Sequence, residues 1–243
     1  MTSQRLLRFE DRNCLVAQTA ALLLDTMSAR QAVTGSVSVC LTGGDLANQV
    51  YDRFADTAGS SSLKASGIHL WWNWDYFVAT DNPERNSLQA LSRWARALSL
   101  DPAKIHPVPS SSLSSDPEAG AAQYAQELKE NHPIDICLLE LNPGGQIAGI
   151  FPDHIDPPSP ALAAGITDAP LPHRDLVTLT RNGLNTCREI WILASGTEVA
   201  PTFMDALNKN PALPTSTLTG TSSVAWFTDA EASSLMPFHQ CTL

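Results

Sequence analysis

Six short apolar runs that alternate with helix-periodic segments constrain this chain more than any other feature of it. The runs are 36–42 (SVSVCLT), 68–72 (IHLWW), 134–141 (IDICLLEL), 175–180 (DLVTLT), 189–194 (EIWILA) and 224–228 (VAWFT). They are rich in β-branched and aromatic residues, and several are apolar on both faces, as strands buried in a parallel sheet must be. Helical spacing appears at 15–33, 45–58, 83–98, 117–130 and 198–209; in the second of these, Leu46, Val50 and Phe54 fall at i, i+4 and i+8. Strands separated by helices of this length predict right-handed βαβ crossovers. The expected fold is a Rossmann-like α/β domain spanning 1–243, with an open, mostly parallel sheet flanked by helices. Such sheets bind ligands beyond the carboxyl ends of their strands. Here those loops are Thr42-Gly43-Gly44, 73–85, 142–146 and Ser195-Gly196.

The breaks between these elements read as loops rather than linkers. Ser-rich 110–115 runs into Asp116-Pro117, an N-cap followed by proline at the first helical position. Six prolines between 152 and 172 predict a second long loop, of a length often tied to function.

Charge narrows the partners. With 15 Lys+Arg against 25 Asp+Glu the formal net charge is -10, the wrong sign for sequence-independent nucleic-acid binding or an anionic membrane surface. The five cysteines (14, 40, 137, 187 and 241) are scattered, with no C-x-x-C pair, and read as reduced, mostly buried thiols. No secretory segment opens the chain and no apolar run approaches a membrane span, so a cytoplasmic location is expected.

The turn Thr42-Gly43-Gly44-Asp45 joins a strand to a helix. Glycines there bring backbone N–H groups and the positive helix end towards a phosphate. Asp45, read as the helix cap, places a fixed negative charge on that site instead. No G-x-x-x-x-G-K-[ST] and no strand-linked G-x-G-x-x-G occurs, so nucleotide binding has little support.

The segment Trp71-Trp72-Asn73-Trp74-Asp75-Tyr76-Phe77-Val78, followed by Asp81-Asn82-Pro83-Glu84-Arg85-Asn86, resembles the 6-phosphogluconolactonase family, whose stretch reads W-W-G-D-E-R-F-V and then D-x-P-E-R-N. Further blocks follow in the family's order. Thr42-Gly43-Gly44 looks like the start of S-G-G-S-T-P, and Asn142-Pro143-Gly144-Gly145-Gln146 looks like the start of G-P-D-G-H-x-A-S-L-F-P. Residues 176–180 look like R-V-T-L-T, 195–200 like a G-x-x-K-A block, and 213–216 with 224–229 like the closing strand region. The resemblance spans about residues 10–235. It implies the Rossmann-like fold shared with glucosamine-6-phosphate deaminases. It also implies hydrolysis of 6-phosphogluconolactone in the pentose phosphate pathway, with no metal or organic cofactor.

The departures fall on the chemistry. D-E-R becomes Trp74-Asp75-Tyr76, and D-G-H becomes Gly144-Gly145-Gln146. The resemblance puts the general base at Gln146, and glutamine cannot accept a proton from water near neutral pH. The arginine of R-V-T-L-T becomes Leu176 and the family's lysine becomes Val199. Candidate catalytic positions are therefore Gln146 and Asp75. Candidate ligand contacts are Thr42, Gly43, Gly44, Asp45, Trp74, Tyr76, Arg85, Asn86, Gly144 and Gly145. His154 is a replacement base only if its loop turns back, and Arg85 could supply a cation but reads first as a partner of nearby acids such as Asp81 or Glu84. Histidines 69, 106, 132, 173 and 239 form no triad spacing or metal pair, and no metal site is expected.

Three readings remain open: a 6-phosphogluconolactonase-like protein with little or no activity, an esterase or lactonase on a different, less anionic substrate, or a binding partner of another pathway enzyme. A substrate-sized cleft near Asp75 and Gln146 favours the second. An exposed apolar patch at Trp74 and Tyr76 favours the third, because Trp74 either plugs the old pocket or faces a partner.

Overall fold

A computed structural model describes residues 3–131, 133–152 and 160–237. In chain order its elements are β1 (Ser3–Phe9), α1 (Arg12–Thr34), β2 (Val37–Leu41), α2 (Asp45–Ala58), β3 (Ile68–Trp72), β4 (Trp74–Tyr76), α3 (Asn86–Trp94), β5 (Ile105–His106), α4 (Pro117–Glu130) and β6 (Ile136–Glu140). They continue with β7 (Ala163–Ile166), β8 (Leu176–Leu179), α5 (Arg181–Asn185), β9 (Glu189–Ala194), α6 (Ala200–Leu207) and β10 (Ser223–Asp229).

Seven strands form one sheet in the order β1-β10-β9-β6-β2-β3-β5, and every pairing in it is parallel. The expected sheet is therefore present. Its central strands β2 and β6 are almost wholly buried, which explains their unbroken apolar character. From β2 the chain builds outward through β3 to β5, then returns to lay β6, β9 and β10 on the other side. The order thus reverses between β2 and β6, and the crevice of an open α/β sheet opens at such a reversal.

Local chemistry sets the helix limits. Asp11 caps α1 by accepting the Cys14 N–H at 2.8 Å, and Gly35 ends it in the left-handed region at φ 81°. Asp116 and Pro117 begin α4 as the sequence predicts. The periodicity at 45–58 coincides with α2, whose Val50, Tyr51 and Phe54 are buried. The segment 198–209 is shorter than expected: a 3-10 turn precedes α6.

Residues 175–180 do not join the main sheet. As β8 they pair antiparallel with both β4 and β7 in a small three-stranded sheet, order β4-β8-β7. Strand β7 lies inside the proline-rich segment expected to be loop. It packs so closely on α4 that a Cβ on Gly165 would come 2.4 Å from the Pro117 carbonyl carbon. Strand β1 also escapes the apolar pattern. It is an edge strand with mostly exposed side chains, so only its backbone pairing with β10 defines it.

Candidate functional site

At the reversal point a cleft of about 450 Å³ opens between the turn after β2, the β4–α3 region and the loop after β6. Of the expected contacts, Thr42, Gly43, Gly44, Asp45, Trp74, Tyr76, Asn86 and Gln146 line it. A second cavity of about 360 Å³ shares Asp45, Glu140 and Asn142 with it and extends towards Ser195, Gly196 and Val199.

The β2–α2 turn is built by close approach. Tyr51 of α2 fixes the strand end, its hydroxyl accepting from Thr42 N and donating to Thr42 O, both at 2.9 Å. A Cβ on Gly43 would lie 2.0 Å from Asn86 Oδ1, so that glycine is where α3 meets the turn. Gly44 has φ +128°, and a Cβ there would lie 2.2 Å from Glu140 Oε2.

That contact corrects the reading of Asp45. The cap position belongs to Gly44, and Asp45 is the first helical residue. Its carboxylate points outward, 80% exposed, to Arg12 at 2.6 Å and Gln49 at 2.9 Å. The group on the helix end is Glu140, the last residue of β6. Its Oε2 accepts the Ala47 N–H at 2.9 Å, and the Leu46 N–H also bonds it. Burial pushes the Glu140 pKa up to about 7, against the pull of those two N–H groups. The sequence offered one signal for this residue: an acid near the carboxyl end of the largely apolar run 134–141, beside a candidate loop.

Asp75 and Arg85 stand apart from the cleft wall. Asp75 is fully buried and accepts from Asn86 N at 2.7 Å, Ser87 Oγ at 2.6 Å, Tyr76 N at 2.9 Å and Arg85 Nε at 3.1 Å. It thereby caps α3 from β4, since Arg85 at the N-cap position makes no side-chain cap of its own. Burial raises the Asp75 pKa, and the Arg85 guanidinium opposes that rise. Arg85 is equally enclosed and also donates to Val108 O, so its partner is Asp75 and neither Asp81 nor Glu84. Both residues hold the loop, and neither lines the cleft.

Gln146 faces the cleft and donates from Nε2 to Ala148 O at 2.8 Å. Gly145, at φ +83°, closes the preceding turn by donating to Asn142 O at 2.8 Å; Gly144 is exposed, and neither lines the cleft. Trp74 forms part of the wall with its ring edge-on to Tyr76, centroids 5.1 Å apart, and does not fill the space. It is only 8% exposed, which also removes the apolar face that a docking partner there would need. Leu176 is fully buried in β8 away from the cleft, and Val199 lies on the second cavity.

The electrostatics are one-sided. Among the described residues three carboxylates (Asp45, Glu84 and Glu140) line the cleft, and no Lys, Arg or His does. Glu84 pairs with His173. Elsewhere His69 and His106 stack with centroids 5.5 Å apart and are joined at 3.2 Å, a pairing that the spacing did not suggest. Among the described residues no group of three or more His, Cys, Asp or Glu could hold a metal ion. Cys40, Cys137 and Cys187 are free, buried thiols and Cys14 is partly buried. His132, His154, His239 and Cys241 lie outside the described residues. No helix among the described residues is long and apolar enough to cross a membrane.

A reversed-order parallel sheet with a polar cleft at its switch point defines a Rossmann-like α/β protein, a fold whose ligand sites lie at the strand ends. The chain belongs to the family of glucosamine-6-phosphate isomerases and 6-phosphogluconolactonases, whose model matches residues 10–226. It is 31% identical over 241 residues to the 6-phosphogluconolactonase of Streptomyces coelicolor, covering 93% of this chain and 92% of that one. It is 27% identical to the 6-phosphogluconolactonase of Mycobacterium leprae, covering 94% and 97%. Its fold matches the 6-phosphogluconolactonase of Thermotoga maritima with a TM-score of 0.83, at 22% identity over 93% of this chain and 100% of that one. A monomeric glucosamine-6-phosphate deaminase matches with the same TM-score of 0.83, at 18% identity over 95% and 99%. At such identities the two structures speak for the fold alone.

Proposed function

We propose that this chain is a 6-phosphogluconolactonase-like protein of the pentose phosphate pathway, cytoplasmic, with little or no turnover of 6-phosphogluconolactone. The family membership and the relatives' shared name support the first part. The observation that carries the second is the cleft wall, which among the described residues has three carboxylates, no basic side chain, and an amide at the position of the expected base. Asp45 and Glu84 are already paired, so a phosphorylated lactone entering the cleft meets the Glu140 carboxylate on the helix end where it needs a cation. At about 4 Å and intermediate dielectric that costs about 4 kcal/mol per pair of unit charges. Water attacking the lactone carbonyl would have Gln146 to orient it and nothing at that position to take its proton. General-base help is worth about 10²–10⁴-fold.

The test is a dehydrogenase-coupled assay of 6-phosphogluconolactone hydrolysis beside the Streptomyces coelicolor relative. The expected rate is at least about 100-fold lower; a comparable rate overturns the proposal.

A further inference from the structure

Among the described residues Glu140 is the one acid of the cleft without a salt bridge of its own, the Arg12 guanidinium that Asp45 holds acting on it only from a distance. Asp45 holds Arg12, and Glu84 holds His173. Glu140 instead takes the first N–H groups of the 14-residue helix α2, the donors that a helix offers to an incoming anion. It also fills the space over Gly44, where its oxygen would overlap a Cβ. The chain thus supplies, from the end of its own central strand, the negative group that a phosphorylated ligand would bring. Beyond these acids the wall carries neutral amides, among them Asn142 and Gln146, and an apolar part. Among the described residues the Asn142 side-chain amide has no hydrogen-bond partner. The Gln146 side-chain oxygen likewise has none among them, and the Trp74 ring forms an apolar part of the wall. Amides that can donate and accept, next to an aromatic ring, suit hydroxyls and ring C–H groups.

We infer that this cleft takes an uncharged polyhydroxylated ligand, an unphosphorylated sugar ring or aldonolactone, and that Glu140 determines this specificity by occupying the anion position from within. Because the other two acids are already paired, the wall does not call for a cationic ligand. The inference rests on the reading above that the family cleft is still the ligand site and has lost its phosphorylated substrate.

A matched pair of non-hydrolysable probes tests it: 1,5-anhydroglucitol and its 6-phosphate, titrated by NMR into the full chain. The native protein should bind the neutral ring at least 10-fold more tightly than the phosphate. Glu140→Gln, which keeps an acceptor for Ala47 N–H and removes the charge, should shift that ratio at least 10-fold towards the phosphate. Glu84→Gln should shift it less than threefold. A native preference for the phosphate, an unchanged ratio in Glu140→Gln, or no binding of either probe overturns the inference. Ordinary turnover of 6-phosphogluconolactone would bring down the functional proposal as well, whereas an unchanged ratio with turnover still absent brings down this inference alone.

If Glu140→Gln folds poorly, the native chain decides by itself. Sulfate keeps its charge between pH 8 and pH 6, while Glu140, with its pKa near 7, gains a proton. The other charged groups around it are Arg12 on α1, Asp45 on α2, Glu84 with His173 across the cleft, and Glu198 and Glu231 in the adjoining cavity. Sulfate should bind about fivefold or more tightly at pH 6 than at pH 8, in His173→Gln, which removes the imidazole across the cleft, as in the native chain. Binding independent of pH, or a dependence lost in His173→Gln, overturns the inference.

Discussion

Glu140 and Asp75 are both carboxylates drawn out of water, yet they answer to pH and mutation in different ways. Folding raises the Glu140 pKa from 4.5 to about 7. Between those values the unfolded chain has ionised while the folded one still holds its proton, so stability falls as pH rises through that window and levels off above it. Glu140→Gln does not titrate. Its advantage over the native chain should be absent below about pH 4.5, open between pH 4.5 and 7, and reach about 1–2 kcal/mol at pH 8, allowing for partial exposure. For a chain of this length that is about 3–6 °C in Tm, readable in melting curves at pH 4, 6 and 8. An equal advantage at all three would show that packing, not ionisation, is responsible. Asp75 has its counter-ion inside the protein. Arg85→Met strands the buried carboxylate beside Ser87 and Asn86 and should cost about 3–5 kcal/mol in urea unfolding; a loss under 1 kcal/mol would refute the structural role. The sequence pointed to Asp75 as chemistry because a strand-end acid looks the same whether it faces a cleft or caps a helix. The direction of the side chain decides, and α3 folding back over β4 sets it.

The β2–α2 turn and α3 act as one unit through the contact of Gly43 with Asn86. Gly43→Ala places a methyl 2.0 Å from the Asn86 side chain, so Asn86 must move, at a cost of about 1–3 kcal/mol. Asn86→Ala frees that space, and the double variant should recover at least half of the loss, a coupling measurable in a double-mutant cycle. Additive losses would mean that the turn and α3 do not touch as described. Elements with a strong local pattern were legible from sequence: α2 by its i, i+4, i+8 apolar row, α4 by Asp116-Pro117, and β2, β3, β6 and β9 by runs apolar on both faces. Elements held by partners were not. Strand β1 is polar and exists through its pairing with β10. Strand β7 is a short Ala-Gly run held by β8 and α4. Strand β8 looks like any buried strand but lies antiparallel in the small sheet. A buried strand reads as apolar whichever sheet buries it.

Over the whole molecule the net charge of -10 and the cleft's three acids act in the same direction. Millimolar phosphate or 6-phosphogluconate should leave the Tm at pH 8 within about 1 °C, since a ligand stabilises only in proportion to its binding. A rise of several degrees with 6-phosphogluconate would contradict both the functional proposal and the ligand class inferred for the cleft. The sequence by itself determined the alternation of strands and helices, and with it the parallel sheet, because burial on both faces demands continuous apolar runs. It placed the ligand loops at the strand ends, and its ordered blocks carried the family. Tertiary structure alone decided what those loops present. It turned Asp45 outward to Arg12, sealed Asp75 against Arg85, laid Trp74 along the wall, and brought Glu140 onto the helix end 93 residues before it in the chain. The reason is physical: a pattern of apolar spacing records which face of an element is buried, whereas the fate of a charge depends on the atoms that distant segments bring within 3 Å of it.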